Sequence, residues 1–189
     1  MTQSTVEFYH ASTAALEIGA VLESRFVKYL WQWETVDSAL NEPEAVVRKA
    51  VLKSMLLADR YTGKGKVAPL AFVLKEAILE RIRRAEFADR PSRLKSIFVC
   101  PSKSDIVSFQ GMVKNRPYLY ICSIDDGSSL FEADMVYVET ANPLAPITKQ
   151  LEYLIERARL YWQGHKSNQP MLEVLAPISS VKITASADW

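Results

Sequence analysis

Apolar and polar positions alternate in short runs toward both ends of the chain and recur with a helical period through its middle. The aromatic, alternating run Val6-Glu7-Phe8-Tyr9-His10 predicts a strand that ends at His10. Ala11 to Thr13 reads as a small polar turn, Ala14 to Leu16 as one helical turn before Gly19, and Val21-Leu22 as a second short strand. From Glu42 onward the period changes. Val46, Val47, Ala50, Val51, Met55 and Ala58 share one face of a helix that Pro43 opens, and Gly63 and Gly65 interrupt it. Pro69 opens a second helix carrying Phe72, Val73, Ala77, Ile78 and Ile82. Ser96 to Cys100 is a β-rich run closed by Pro101, after which Ser102 or Ser104 can cap a helix over 102–113 with Ile106, Val107 and Phe109.

The remaining elements follow the same logic. Tyr118 to Ile124 predicts a strand, Asp125-Asp126-Gly127 a turn, and Met135 to Val138 a further strand. In the helix expected from Ile147 to Trp162, Leu151, Leu154, Ile155 and Ala158 share a face, and Gly164 ends it. Two last strands, Met171 to Leu175 and Val181 to Thr184, are joined across Pro177. The pattern predicts one α+β domain of short, mostly antiparallel strands, with the helical stretch at about 34–87 as an insertion or side layer.

Bulk properties narrow the classes. A chain of 189 residues can bury one good core and still carry an insertion. A net charge of +1, with acids and bases interspersed, supplies no long-range field for nucleic acid or membrane. Cys100 and Cys122 sit in strand-like runs without metal-ligand spacing, which points to buried thiols in a reducing compartment and to no metal site. The first ten residues lack a basic start leading into an apolar core, and no stretch reaches the ~20 apolar residues of a membrane span. A soluble, cytoplasmic protein is expected.

Few residues are positioned for chemistry. His165 follows a helix-stopping glycine and reads as a surface residue, whereas His10 stands at a strand end, where side chains reach clefts. Glu173 lies between Leu172 and Val174. Alternation turns it either to the wet side or into a pocket, where a carboxylate on a rigid strand stabilises developing positive charge. Phe98 and Phe109, eleven residues apart on a strand and the following helix, can face one another. The extended basic lead Arg90-Pro91-Ser92-Arg93 suits a phosphate-bearing ligand. A core strand, a core helix and a solvated charge pair account for the same residues, and that reading stays open. No G-x-G-x-x-G, Walker A, G-x-S-x-G or H-E-x-x-H motif is present, and neither cysteine has a histidine near it in sequence.

The order of these pieces, from the strand through His10-Ala11-Ser12 by way of Ser96 to Cys100 and Phe109 to the Glu173 strand, resembles the ADP-ribosyltransferase superfamily. The likeness is to its diphtheria-toxin-like and poly(ADP-ribose)-polymerase-like branch, with a His–Tyr–Glu signature. More narrowly, the Pro91-Ser92-Arg93-Leu94-x-Ser96-Ile97-Phe98 segment and Tyr161-Trp162-x-Gly164 look like a small bacterial and phage family of unknown function (DUF2441-like). The resemblance implies a split pair of antiparallel sheets with a helical insertion, and NAD as substrate. It implies that His10 bonds the adenosine-side ribose, that the Ala11 backbone holds the nicotinamide amide, and that Phe98 and Phe109 stack on the nicotinamide ring. Glu173 would bond the nicotinamide-side ribose and support an oxocarbenium-like state as nicotinamide leaves, with Arg93 a phosphate or adenine contact. ADP-ribose would pass once to a protein or other acceptor, or to water.

The chain departs from that pattern at three places. Phe98 replaces the central Tyr, Ile106 stands where a Ser often bonds the amide, and Met171 removes the Glu/Gln-x-Glu pattern of arginine-modifying members. An inactive member serving as a binding module, and a scaffold with no nucleotide site, are therefore the rival expectations.

Overall fold

The computed structural model describes residues 6–24, 37–38, 41, 70–108, 116–125, 127–138 and 147–189. The chain divides into two compact units. One is built from 1–24, 91–136 and 164–189, the other from 25–90 and 137–163.

The described elements of the first unit are six strands, one short helix and 3-10 turns. Strands β1 (Phe8–Ser12), β3 (Tyr118–Ile124) and β6 (Val181–Ala187) form one antiparallel sheet in the order β1-β3-β6. Strands β2 (Ser96–Val99), β5 (Leu172–Pro177) and β4 (Phe131–Asp134) form a second, in the order β2-β5-β4. Alternation gives each sheet an inner face, and these faces pack on one another: Phe8, Tyr120, Cys122, Val181 and Ile183 from one, Ile97, Val99, Val174 and Ala176 from the other. The α+β expectation holds, and every pairing among the described strands is antiparallel.

Several boundaries move from those the sequence suggests, each for a local reason. β1 runs on through Ser12 instead of turning at Ala11, because Ala11 and Ser12 find partners in Leu119 and Tyr118. The 14–16 segment forms no helical turn; Leu16 is held instead by its N–H donating to Tyr120 Oη at 2.7 Å. Val21 makes a single bridge to Lys182 and no strand. The strand expected at Met135–Val138 lies earlier, at Phe131–Asp134, and Met135–Tyr137 is a 3-10 turn. Asp134 causes that change. Its fully buried carboxylate accepts the N–H groups of Val136 (3.0 Å), Ser167 (2.7 Å) and Met171 (3.0 Å), which bends the chain away from extended geometry.

The second unit has as its described elements helices α1 (Leu70–Glu86) and α3 (Ile147–Gln163), which pack on each other. Fully buried Trp162 donates its indole N–H to Leu79 O at 2.8 Å, and Arg159 forks onto Glu86. Gly164, at φ +74°, ends α3 as the pattern implies. The earlier helix expected from Pro43 lies outside the described residues. No described helix is long and apolar enough to cross a membrane.

Burial opposes the charge of Asp134, but three amide donors outweigh it and hold the pKa below the usual aspartate value. The stability it contributes is therefore complete above about pH 4 and is lost as the pH falls through its lower folded value. Asp134→Asn is expected to cost roughly 2–4 kcal/mol near neutrality. In urea unfolding the gap from wild type should shrink at strongly acidic pH; an equal gap at both would refute this role.

Candidate functional site

Besides the packing of their inner faces, the two sheets are bonded edge to edge, among the described residues, by one pair of backbone bonds. Tyr9 N donates to Cys100 O and Cys100 N to Tyr9 O, both at 2.8 Å, and the pairing stops there. Backbone groups alternate between the two edges of an antiparallel strand, so the N–H and C=O of Ala11 point to the same edge as those of Tyr9. Counting on from the bridge, Ala11 comes opposite Phe98, where the strands have parted. Arg116 Nη1 donates to Ala11 O at 3.3 Å. His10, half-buried, bridges the gap with its ring: Nδ1 lies 3.1 Å from Phe98 O. A carbonyl can only accept, so Nδ1 carries the proton, and a neutral ring then has its lone pair on Nε2.

The second sheet supplies the acid. One step beyond the β2–β5 ladder, Glu173 falls opposite Cys100, on the face shared with Phe98 and Leu175 and away from the apolar core. Alternation thus does turn it from the core, yet it is only 4 % exposed. Arg93, 3 % exposed, lies in the 3-10 turn Arg93–Lys95 that leads into β2. Its Nη1 donates to Glu173 Oε1, and its guanidinium carbon stands 4.7 Å from the centroid of the Phe98 ring. The same nitrogen is 4.0 Å from Met135 Sδ.

Of the residues singled out in the sequence, Arg93 therefore touches both Phe98 and Glu173, and His10 joins them through the Phe98 carbonyl. Arg93, expected to face phosphate or adenine, donates to the acid. Phe109 lies outside the described residues. Ile106 is buried with Ala11, Cys100 and Leu119, and belongs to a small core. His165 is exposed, as its sequence position implies.

Two carboxylates that the sequence reading passed over hold Glu173 in place. Asp134 clamps the 167–171 lead into β5, and Met135 N donates to Met171 O at 2.8 Å. Asp105, near the start of α2 (Lys103–Ser108), accepts from Leu172 N at 3.3 Å through Oδ1. Ser102 is the cap of that helix: Asp105 N donates to Ser102 Oγ at 3.2 Å, and the hydroxyl donates to Asp105 Oδ2. The Ser102-x-x-Asp105 spacing is a capping box and could have flagged Asp105; nothing comparable marks Asp134.

Cysteine nucleophilic chemistry is disfavoured. Burial raises the Cys100 thiol pKa strongly, and the Glu173 and Asp105 charges raise it further, while Arg116 works the other way. Burial pushes Cys122 up to about 12. Both thiols are free and buried, as expected.

The fold and its seam define an α+β protein of two packed antiparallel sheets that carries a buried acid–arginine pair beside an aromatic ring where the sheets part. The chain belongs to a family described as protein of unknown function (DUF2441), whose model matches residues 14–186. Arg93, Phe98 and Glu173 fall within that span, and β1 with His10 and Ala11 precedes it. The chain matches no curated protein.

Removing one member of a buried ion pair strands the other charge. Arg93→Met is accordingly expected to lower stability by about 3–5 kcal/mol, and Arg93→Met/Glu173→Gln to recover most of that loss. Denaturant unfolding of the four proteins in the cycle measures the coupling; strictly additive losses would mean that the two side chains act independently.

Proposed function

We propose that the protein is an ADP-ribosyltransferase of the His–Tyr–Glu kind, binding NAD where the two sheets part, releasing nicotinamide and passing ADP-ribose to an acceptor. The observation that carries this reading is the position of Glu173: a carboxylate on a strand clamped at its start, beside Phe98, with His10 bonded to that residue's carbonyl. A cationic pyridinium leaving group needs no proton donated to it. The site has to supply a surface for the ring, an anchor for the amide and a fixed negative charge near the sugar carbon. Phe98 offers the surface, the outward edge of Ala11 the amide anchor, and Glu173 the charge. His10 Nε2 is the polar group for a ribose hydroxyl. The parting of two antiparallel sheets agrees with the architecture that the superfamily resemblance implies.

Incubation with NAD labelled in the nicotinamide ring tests the reading. Released nicotinamide is expected, with Glu173→Gln slower by roughly 10²–10³-fold, the scale on which a preorganised electrostatic group acts. Neither NAD binding nor nicotinamide release, with protein extracts as acceptor source, would sink it.

One observation favours a second reading. Arg93 lies on both the Phe98 ring and the Glu173 carboxylate, which suits a member that keeps the fold as a binding module without turnover. That reading expects calorimetric NAD binding without nicotinamide release, unchanged in Glu173→Ala.

A further inference from the structure

We propose that Arg93 is a tethered occupant of the seat formed by Phe98 and Glu173, and that a planar organic cation binds there by displacing it. The proposal builds on the preceding assignment of Phe98 and Glu173 as the ring-binding and charge-binding pair. The surroundings of the guanidinium specify its chemistry. An aromatic ring lies at 4.7 Å, a methionine sulfur at 4.0 Å, and a carboxylate accepts from its edge. Among the described residues, a ring, a polarizable thioether and one acid surround it, poor company for a strongly hydrated ammonium or a hard metal ion. They suit a flat cation whose charge is delocalised and weakly hydrated, which is what a guanidinium shares with a pyridinium.

Occupant and seat also differ in how they are held. Phe98 and Glu173 belong to β2 and β5, whose ladder runs from Ser96–Pro177 to Val99–Val174, and Asp134 and Asp105 fix the lead into β5. Arg93 belongs to the turn ahead of that ladder, closed by Lys95 N donating to Ser92 O at 3.0 Å and Ser96 Oγ to Ser92 O at 2.7 Å. Rotation about its side-chain bonds withdraws the guanidinium without breaking a ladder bond. A tethered group competes at a high effective concentration, so an incoming cation of similar chemistry meets an affinity lowered by that factor. Arg93 thereby sets its charge against Glu173 until another cation takes the seat.

The test uses 1-methylnicotinamide, a phosphate-free planar cation, and neutral nicotinamide, with calorimetry on the full chain. Arg93→Ala is expected to bind the cation about tenfold or more tightly than wild type. Arg93→Ala/Glu173→Gln is expected to lose that gain, and nicotinamide to show none. Equal binding of the cation to wild type and Arg93→Ala, no binding to either, or a gain that persists without Glu173 or with nicotinamide overturns the proposal. Should Arg93→Ala fail to fold alone, millimolar 1-methylnicotinamide is expected to restore a cooperative melting transition, and its failure to do so is equally decisive. NAD takes no part in these measurements. Absence of NAD cleavage therefore counts against the transferase reading alone, and an indifferent Arg93→Ala counts against this proposal even where NAD is cleaved.

Discussion

Beyond the packing of their inner faces, the two sheets are joined among the described residues by two backbone hydrogen bonds between Tyr9 and Cys100, and the candidate site lies where that pairing stops. Had β1 continued along β2, Ala11 and Phe98 would have saturated one another and a six-stranded sheet would have closed the seam. Instead the strands part, and their edge groups must find other partners. His10 supplies one through its ring, and Arg116 another at Ala11 O. A sheet that divides thus yields polar backbone directed at a common place, next to side chains that the pleat has already turned from the core.

The second constraint is electrostatic. A carboxylate as buried as Glu173 needs a partner for its charge, and among the described residues Arg93 supplies one. Asp134 solves the same problem differently, with three amide donors and no cation. One acid is satisfied by backbone that is fixed, the other by a side chain that can rotate. On the proposed displacement of Arg93, that distinction separates a structural carboxylate from one that changes partner.

Much of this could be read from the sequence where the signal is local. The run Tyr118 to Ile124 has the bounds of β3, Pro69 and Gly164 bracket α1 and α3, and the strand at Ser96 is closed by Pro101. Where pairing decided, local reading failed. Ala11 and Ser12 look like a turn and become strand because Leu119 and Tyr118 bond to them. Met135 to Val138 has the composition of a strand, but a buried acid from the residue before captures Val136 N–H. In the site, Phe98 and Glu173 were legible as residues. The partner of Glu173 was not, because an ion pair across eighty positions leaves no trace in spacing. Asp134, which aims the strand, was hidden for the same reason, whereas the capping-box spacing from Ser102 marks Asp105 as a helix residue without showing that it reaches Leu172.

The strand order of the second sheet carries one more consequence. β5 lies in its centre, yet its flanking strands, β2 and β4, both precede it along the chain. During synthesis those two can find neither each other nor a template until residues past 172 have left the ribosome. The last-made inner strand is therefore the keystone. It brings the acid with it, so that in a growing chain assembly of the sheet and burial of its charge coincide.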